Sequence, residues 1–247
     1  MTQKTNCGGT VHAVVRNISL PFTVPAEEAC AAAVKYLGRL VPRASIGRAV
    51  IAKRSVDARR RGNIRFLYSV DVEVDSAAAP VLSADHSVSL LPDSADEVRC
   101  GSEHLSARPV IVGFGPAGMF ASLTLAALGY APLVIERGGS VGERVAAVEH
   151  FYRTGELDTG TNIQFGAGGA GTFSDGKLTT RIGDPRCRGV LKMLHSLGAP
   201  EDILTSAKPH IGTDILRRVV ENAAERLTEL GGEIRYHTAL TELPMRS

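Results

Sequence analysis

The chain has 247 residues, a formal net charge of +2 and 44% apolar residues. That is enough apolar material for one large or two small cores. So little net charge excludes a global pull toward nucleic acid or an anionic membrane surface. Four scattered cysteines, with no CxxC and no Cys/His cluster, exclude a dithiol centre and a zinc site and fit a reducing cytoplasm. The N-terminal run MTQKTNCGGTVHAVV lacks the apolar core of a signal peptide, so a cytoplasmic location is expected.

In chain order, residues 1–75 read as a small α+β domain of ferredoxin-like character. HAVVRNISL (12–20) is the first expected strand. Pro25 pre-sets a helix start, Glu27 and Glu28 suit its positive end, and Ala29, Ala33, Leu37 and Leu40 form a buried stripe. RAVIAKRS (48–55) is a second strand. Ile64, Phe66, Tyr68, Val70, Val72 and Val74 alternate with Arg65, Ser69, Asp71 and Glu73, which predicts a third strand in a sheet wet on one side. The turn between these strands carries Arg59, Arg60 and Arg61. A basic turn on an open sheet could contact phosphates, so a nucleic-acid-binding module is an alternative function. Phe66 and Tyr68 on the apolar face make it the weaker one.

Residues 76–107, rich in Ala, Ser and Asp with Pro80 and Pro92, read as a linker holding a short strand at HSVSLL. Residues 108–247 form the second domain. PVIV (109–112) is a buried strand, 117–128 a helix closed by Gly129, PLVIE (132–136) the next strand and 141–153 a helix. Residues 109–135 are uncharged and long enough to span a bilayer, but Gly113, Gly115, Pro116, Gly118, Gly129 and Pro132 cut them into short pieces, so no membrane span is expected. Asp184 and Pro185 open a helix ending at Gly198. A last helix starts near Thr213 and buries Leu216, Val219, Val220, Ala223, Leu227 and Leu230. GEIRYHTAL then predicts a final strand.

GFGPAG (113–118) places a GxGxxG pattern between a buried strand and an apolar helix. Gly113 permits the tight turn, Gly115 close approach of a pyrophosphate, and Gly118 close packing of helix on strand. The phosphates then meet free amides at a helix N-terminus. Glu136 ends the next strand, where an acid accepts from ribose hydroxyls and repels a 2′-phosphate, which argues against NADP in this site. GAGGAG (166–171) repeats the pattern without a proper strand before it or an amphipathic helix after it. Its readings are a second dinucleotide site, a surface loop, or, preferred, a backbone wall beside a cofactor's reactive end.

On these residues a resemblance can be stated. VIVGFGPAGMFASLTLAALGYAPLVIERG, NIQFGAGGAGTFSDGKLTTR and KPHIGTDILRRVVENAAERLTELGGEIRYHTALTEL resemble the bacterial FAD-dependent dehydrogenases of uncharacterised function, also called NAD(FAD)-utilizing dehydrogenases. NISLPF and KRSVDARRRGNIRFLYSVDVEV in the first domain resemble that family's N-terminal region. The resemblance implies an α/β Rossmann-like FAD-binding domain and an FAD-dependent oxidoreductase acting on an unknown small molecule, with NAD(P)H a candidate donor. It implies that Gly113, Gly115, Pro116, Ala117, Gly118, Glu136 and Arg137 hold the ADP half of FAD. Gly168, Gly169, Ala170, Gly171 and Thr172 would lie against the flavin. Ser174, Asp175, Lys177 and His210 become candidate catalytic residues, with Lys177 stabilising negative charge on reduced flavin. His210 is a candidate general base, or else a loop histidine supporting the helix at Thr213. His12, His86, His104, His150, His195 and His237 are expected at the surface or in packing. An acidic residue often stands in the family where this chain has Ala167. The family's chains are also longer, so an incomplete FAD-binding domain and a C-terminally truncated chain are expected. A non-catalytic fragment is the remaining alternative.

Overall fold

Strict alternation in one segment builds the first core. Strand β3 (Arg65–Asp75) turns Tyr68, Val70, Val72 and Val74 inward, each 2% exposed or less. In the computed structural model, residues 9–91, 105–174, 176–178, 180, 182, 184 and 186–243 are described. They divide into two units. The first holds the described residues up to Leu91 together with Leu204–Pro209, and the second holds the others.

The first unit runs β1 (Thr10–Pro21), α1 (Glu27–Leu37), β2 (Ile46–Asp57), β3, α2 (Ala79–Leu82) and β4 (Val88–Leu91). Its antiparallel sheet has the order β2-β3-β1-β4. Ala29, Ala33 and Leu37 of α1 and Leu82 of α2 join Ala13, Val15 and the β3 residues in one buried cluster, so both helices cover the same face. Glu27 and Glu28 in the first turn and Lys35 in the last complement the dipole of α1. A register shift between Val15 and Ile18, with Asn17 at φ 60°, bends β1.

Two expectations for this unit change. Residues 76–91 are not linker: Asp75 caps a 3₁₀ turn, and β4 pairs with β1 from His12↔Leu91 to Val15↔Val88. Polar composition hid the reason, which is that Ala78, Leu82 and Val88 finish the core. Residues 92–104 lie outside the described residues. Asp71, expected on the wet face, is 5% exposed, and its Oδ1 lies 2.9 Å from His12 Nδ1. A buried carboxylate requires such a partner. In the same unit, the Arg54 amide donates to Thr205 O (2.6 Å) and Arg54 O accepts from the Ala207 amide (2.9 Å). A short parallel ladder thereby extends β2. In the basic turn, Arg59 forks onto Asp57 at 2.7 and 2.9 Å.

The second unit runs β5 (Val110–Val112), α3 (Pro116–Ala127), β6 (Leu133–Ile135), α4 (Val141–Thr154), α5 (Arg186–Ser196), α6 (Thr213–Glu229) and β7 (Glu233–Arg235). Its three strands are parallel in the order β5-β6-β7. Val134 at the centre is fully buried, while Val110 and Val112 on the β5 edge are 58% and 57% exposed. Helix α4 opens on a capping box in which Ser140 and Glu143 satisfy one another's amides. The Asp184 carboxylate caps the Arg186 amide at the start of α5; Pro185 lies outside the described residues. Helix α6 buries Val219, Val220, Ala223 and Leu227, while Leu216 and Leu230 are only partly covered. The final strand is shorter than its sequence suggests. After Arg235 the chain folds over the end of β6, where the Thr238 amide donates to Glu136 O and the His237 amide to Gly138 O. No helix among the described residues is long and apolar enough to cross a membrane.

Candidate functional site

The β5–α3 turn is built as its glycines require. Gly113 adopts φ +91° and donates to Ile135 O at 2.8 Å. A Cβ on Gly118 would stand 1.9 Å from Gly113 O, so only glycine lets α3 start this close to the strand. Gly113 and Gly115 are different. A Cβ would meet nothing within 4 Å at Gly113, and only Gly169 Cα, at 3.9 Å, at Gly115. The fold itself does not demand glycine at 115, whose backbone is extended. Pro116 is the first helical residue, Ala117 is exposed, and no side chain caps the helix.

Glu136 is 6% exposed. Its Oε2 accepts the Phe114 amide at 2.7 Å and its Oε1 the Gly138 amide at 2.8 Å. The acid expected to hold a ribose therefore also pins the turn. Two of a carboxylate's roughly four lone-pair positions remain for hydroxyl donors. Arg137, beside it, is exposed and lies flat over the Phe165 ring at 3.4 Å.

The second glycine run is used for close packing of backbone on backbone. The Gly168 amide donates to Phe114 O at 2.7 Å and the Ala167 amide to Gly139 O at 3.0 Å. A Cβ on Gly138 would fall 2.5 Å from Gly166 Cα, and one on Gly169 would fall 3.1 Å from Pro116 Cδ. The loop thus lies directly on the first glycine turn. A 3₁₀ turn, Ala170–Phe173, follows it where a second dinucleotide site would need an α-helix. Ala170 is exposed, whereas Thr172 is wholly buried and its Oγ1 has no hydrogen-bond partner.

Arg144 holds this loop in place. Fully buried on α4, its guanidinium donates to the carbonyls of Asn162 (2.9 Å), Ile163 (2.7 Å), Ala167 (2.6 Å) and Gly169 (2.9 Å), with Gly166 O farther off at 3.4 Å. Burial depresses its pKa to about 10; nearby Glu136 opposes that shift and nearby Arg217 adds to it. Arg144 and Arg217 both lie over Phe173, at 4.7 and 4.6 Å from the ring centroid. Sequence reasoning missed both arginines. The signal for Arg144 was its place on the apolar stripe of α4, between Val141 and Val148.

Two of the candidate catalytic residues are paired with each other. Lys177 and His210 form an antiparallel bridge, and the Ile211 amide donates to Gly176 O at 2.8 Å. Both Lys177 and His210 are exposed. Gly176 adopts φ +72°, and a Cβ there would strike Ile211 O. The Ser174 hydroxyl donates to Gly171 O at 2.9 Å. Asp175 lies outside the described residues. His150, His195 and His237, expected at the surface or in packing, are exposed, and each has a partner: Glu156 at 3.0 Å, Ala199 O at 2.8 Å and Glu143 at 3.1 Å. A cavity of about 360 Å³ opens between α4 and residues 157–165, lined by Val148, Phe151, Leu157, Ile163 and Phe165 among others. Among the described residues, no group of three or more His, Cys, Asp or Glu could hold a metal ion.

Comparison with known proteins adds two similarities. A domain of unknown function, DUF8436, matches residues 15–73, from within β1 to within β3. An uncharacterised protein of Clostridium beijerinckii (strain ATCC 51743 / NCIMB 8052) is 46% identical over 201 residues, which cover 80% of this chain and 38% of that protein. The chain therefore spans well under half the length of this relative.

Proposed function

We propose that the second unit is a Rossmann-like domain that binds the ADP half of FAD at the mouth of α3, in an FAD-dependent oxidoreductase acting on a small molecule. The observation that carries the reading is the space at Gly115. The fold tolerates a side chain there, yet the sequence keeps glycine where a pyrophosphate would touch backbone. Three features support it. The amides of Ala117 and Gly118 open an uncapped helix, Glu136 ends the neighbouring parallel strand, and the strand order β5-β6-β7 is that of one mononucleotide-binding half. Arg137 would border the adenosine. FAD, when bound, supplies the acceptor for a pair of electrons, with NAD(P)H a candidate donor. Ser174, Asp175, Lys177 and His210 would meet the substrate. The first unit is read as a ferredoxin-like accessory domain, on its order β2-β3-β1-β4 with two helices on one face. A cytoplasmic location belongs to the same proposal and is supported by the free thiols of Cys30 and Cys187.

The test pairs two alanine substitutions. Gly115→Ala should leave the free energy of urea unfolding within about 0.5 kcal/mol of wild type while weakening FAD and ADP by about 10-fold or more in equilibrium titration. Gly118→Ala should unsettle the fold itself. Unchanged FAD affinity in Gly115→Ala overturns the reading.

A further inference from the structure

Beneath the second glycine loop, two guanidinium groups share one aromatic ring, and among the described residues only Arg144 has a carboxylate acting on it. Arg144 has its donors engaged by four close backbone carbonyls, which satisfy hydrogen bonds without cancelling charge. Glu136 lies near enough to stabilise the Arg144 charge and keeps its own charge while accepting two main-chain amides, whereas Arg217 has no carboxylate so placed among the described residues. Arg217 stacks on Phe173, and its Nε is enclosed with no hydrogen-bond partner. Thr172, next to Phe173 and 0% exposed, likewise has an unpartnered Oγ1. Thr172 Oγ1 lies against α6, the helix that carries Arg217. A Cβ on Gly168 would strike Thr172 Oγ1 at 2.2 Å and Val220 Cγ2 at 2.9 Å, and Val220 stands one turn beyond Arg217.

An enclosed donor without an acceptor is destabilising. A water molecule would answer the donor but leave the charge. A bound anion would answer both. Arg217 as a whole is only partly buried, although its Nε is enclosed. We infer that Arg217 and Thr172 form an oxyanion-binding point, with the guanidinium supplying charge and a planar fork and the threonine a hydroxyl donor. The ligand is a carboxylate or phosphate oxygen. Its carrier is either the diphosphate of a dinucleotide or an acidic substrate. The proposal leans on the flavin reading only for that choice.

Thermal melts of the full chain with inorganic pyrophosphate and with succinate test it. Wild type should gain about 2–4 °C with at least one probe at millimolar concentration. Arg217→Met and Thr172→Val should abolish the gain, and Arg217→Lys should keep only part of it. Arg217→Met should melt no lower than wild type without anion, because it removes an unpaired charge; a purely structural arginine would give a lower melt. Should Arg217→Met fail to fold, Thr172→Val and Arg217→Lys still report the anion response. No response in wild type, or an undiminished response in the variants, overturns the proposal. Titration with FAD and riboflavin then separates the carriers. A loss of about 10-fold in Arg217→Met for FAD but not riboflavin identifies the diphosphate. Unchanged FAD affinity beside a lost succinate response identifies an acidic substrate. An intact anion response in a wild type that binds no FAD supports the oxyanion point and overturns the flavin reading alone.

Discussion

Arg144 does with one side chain what the glycine loop cannot do alone. Five carbonyls within 3.4 Å converge on its guanidinium from a segment with almost no side chains of its own to hold it. Arg144→Met keeps the bulk and strands those carbonyls, so it should cost about 3 kcal/mol in urea unfolding. Arg144→Lys should recover less than half, since a point charge cannot reach all of them. At this scale the sequence was legible where chemistry is local. GFGPAG and Glu136 sit within one βα turn and were read as a unit. Arg144, Arg217 and the His12–Asp71 pair were missed because their partners are far away in sequence and only the fold brings them together. The second glycine run packs on two turns: Gly168 and Gly169 meet Phe114 and Pro116 of the first turn, and Gly166 and Ala167 meet Gly138 and Gly139 after β6.

Among the elements, α4 depends on ionisation at its cap. Glu143 closes its capping box, and its carboxyl is held at about 2, chiefly by the Ser140 hydroxyl, then by the Ser140 amide and His237. A carboxyl with a lowered folded-state pKa stabilises fully above its ordinary value near 4.5 and loses that contribution as pH falls toward 2. Wild-type stability should therefore decline through this window. Glu143→Gln should start lower and decline less steeply, as urea midpoints measured from pH 5 to 2.5 would reveal. A slope unchanged by the substitution would place the acid sensitivity elsewhere. Elements with a strict period or a strong cap were legible: β3, α1, α4 and α6 begin and end within a few residues of expectation. The strand expected at HSVSLL is β4. The packing of residues 76–85 and the shortness of β7 were not legible: Ala78 and Leu82 join a core that only the fold assembles, and hydrogen bonds over the end of β6 curtail β7.

For the whole molecule, the two cores make stability separable by mutation. Leu37 is fully buried in the first unit, and Leu37→Ala should remove about 2–5 kcal/mol from that unit. Tyrosine fluorescence can follow the loss, since there is no tryptophan and Tyr36 and Tyr68 lie in that core. FAD titration of the same variant should match wild type if the second unit alone binds the cofactor. The bond from the Gly168 amide to Phe114 O carries a consequence for how the protein comes into being. On a ribosome, the opening strand and helix of the second unit emerge first, and their connecting bend stays wet and unfinished. Only after α4 and the following loop have cleared the exit tunnel can that carbonyl be capped, so the bend is completed only once synthesis has passed Gly168.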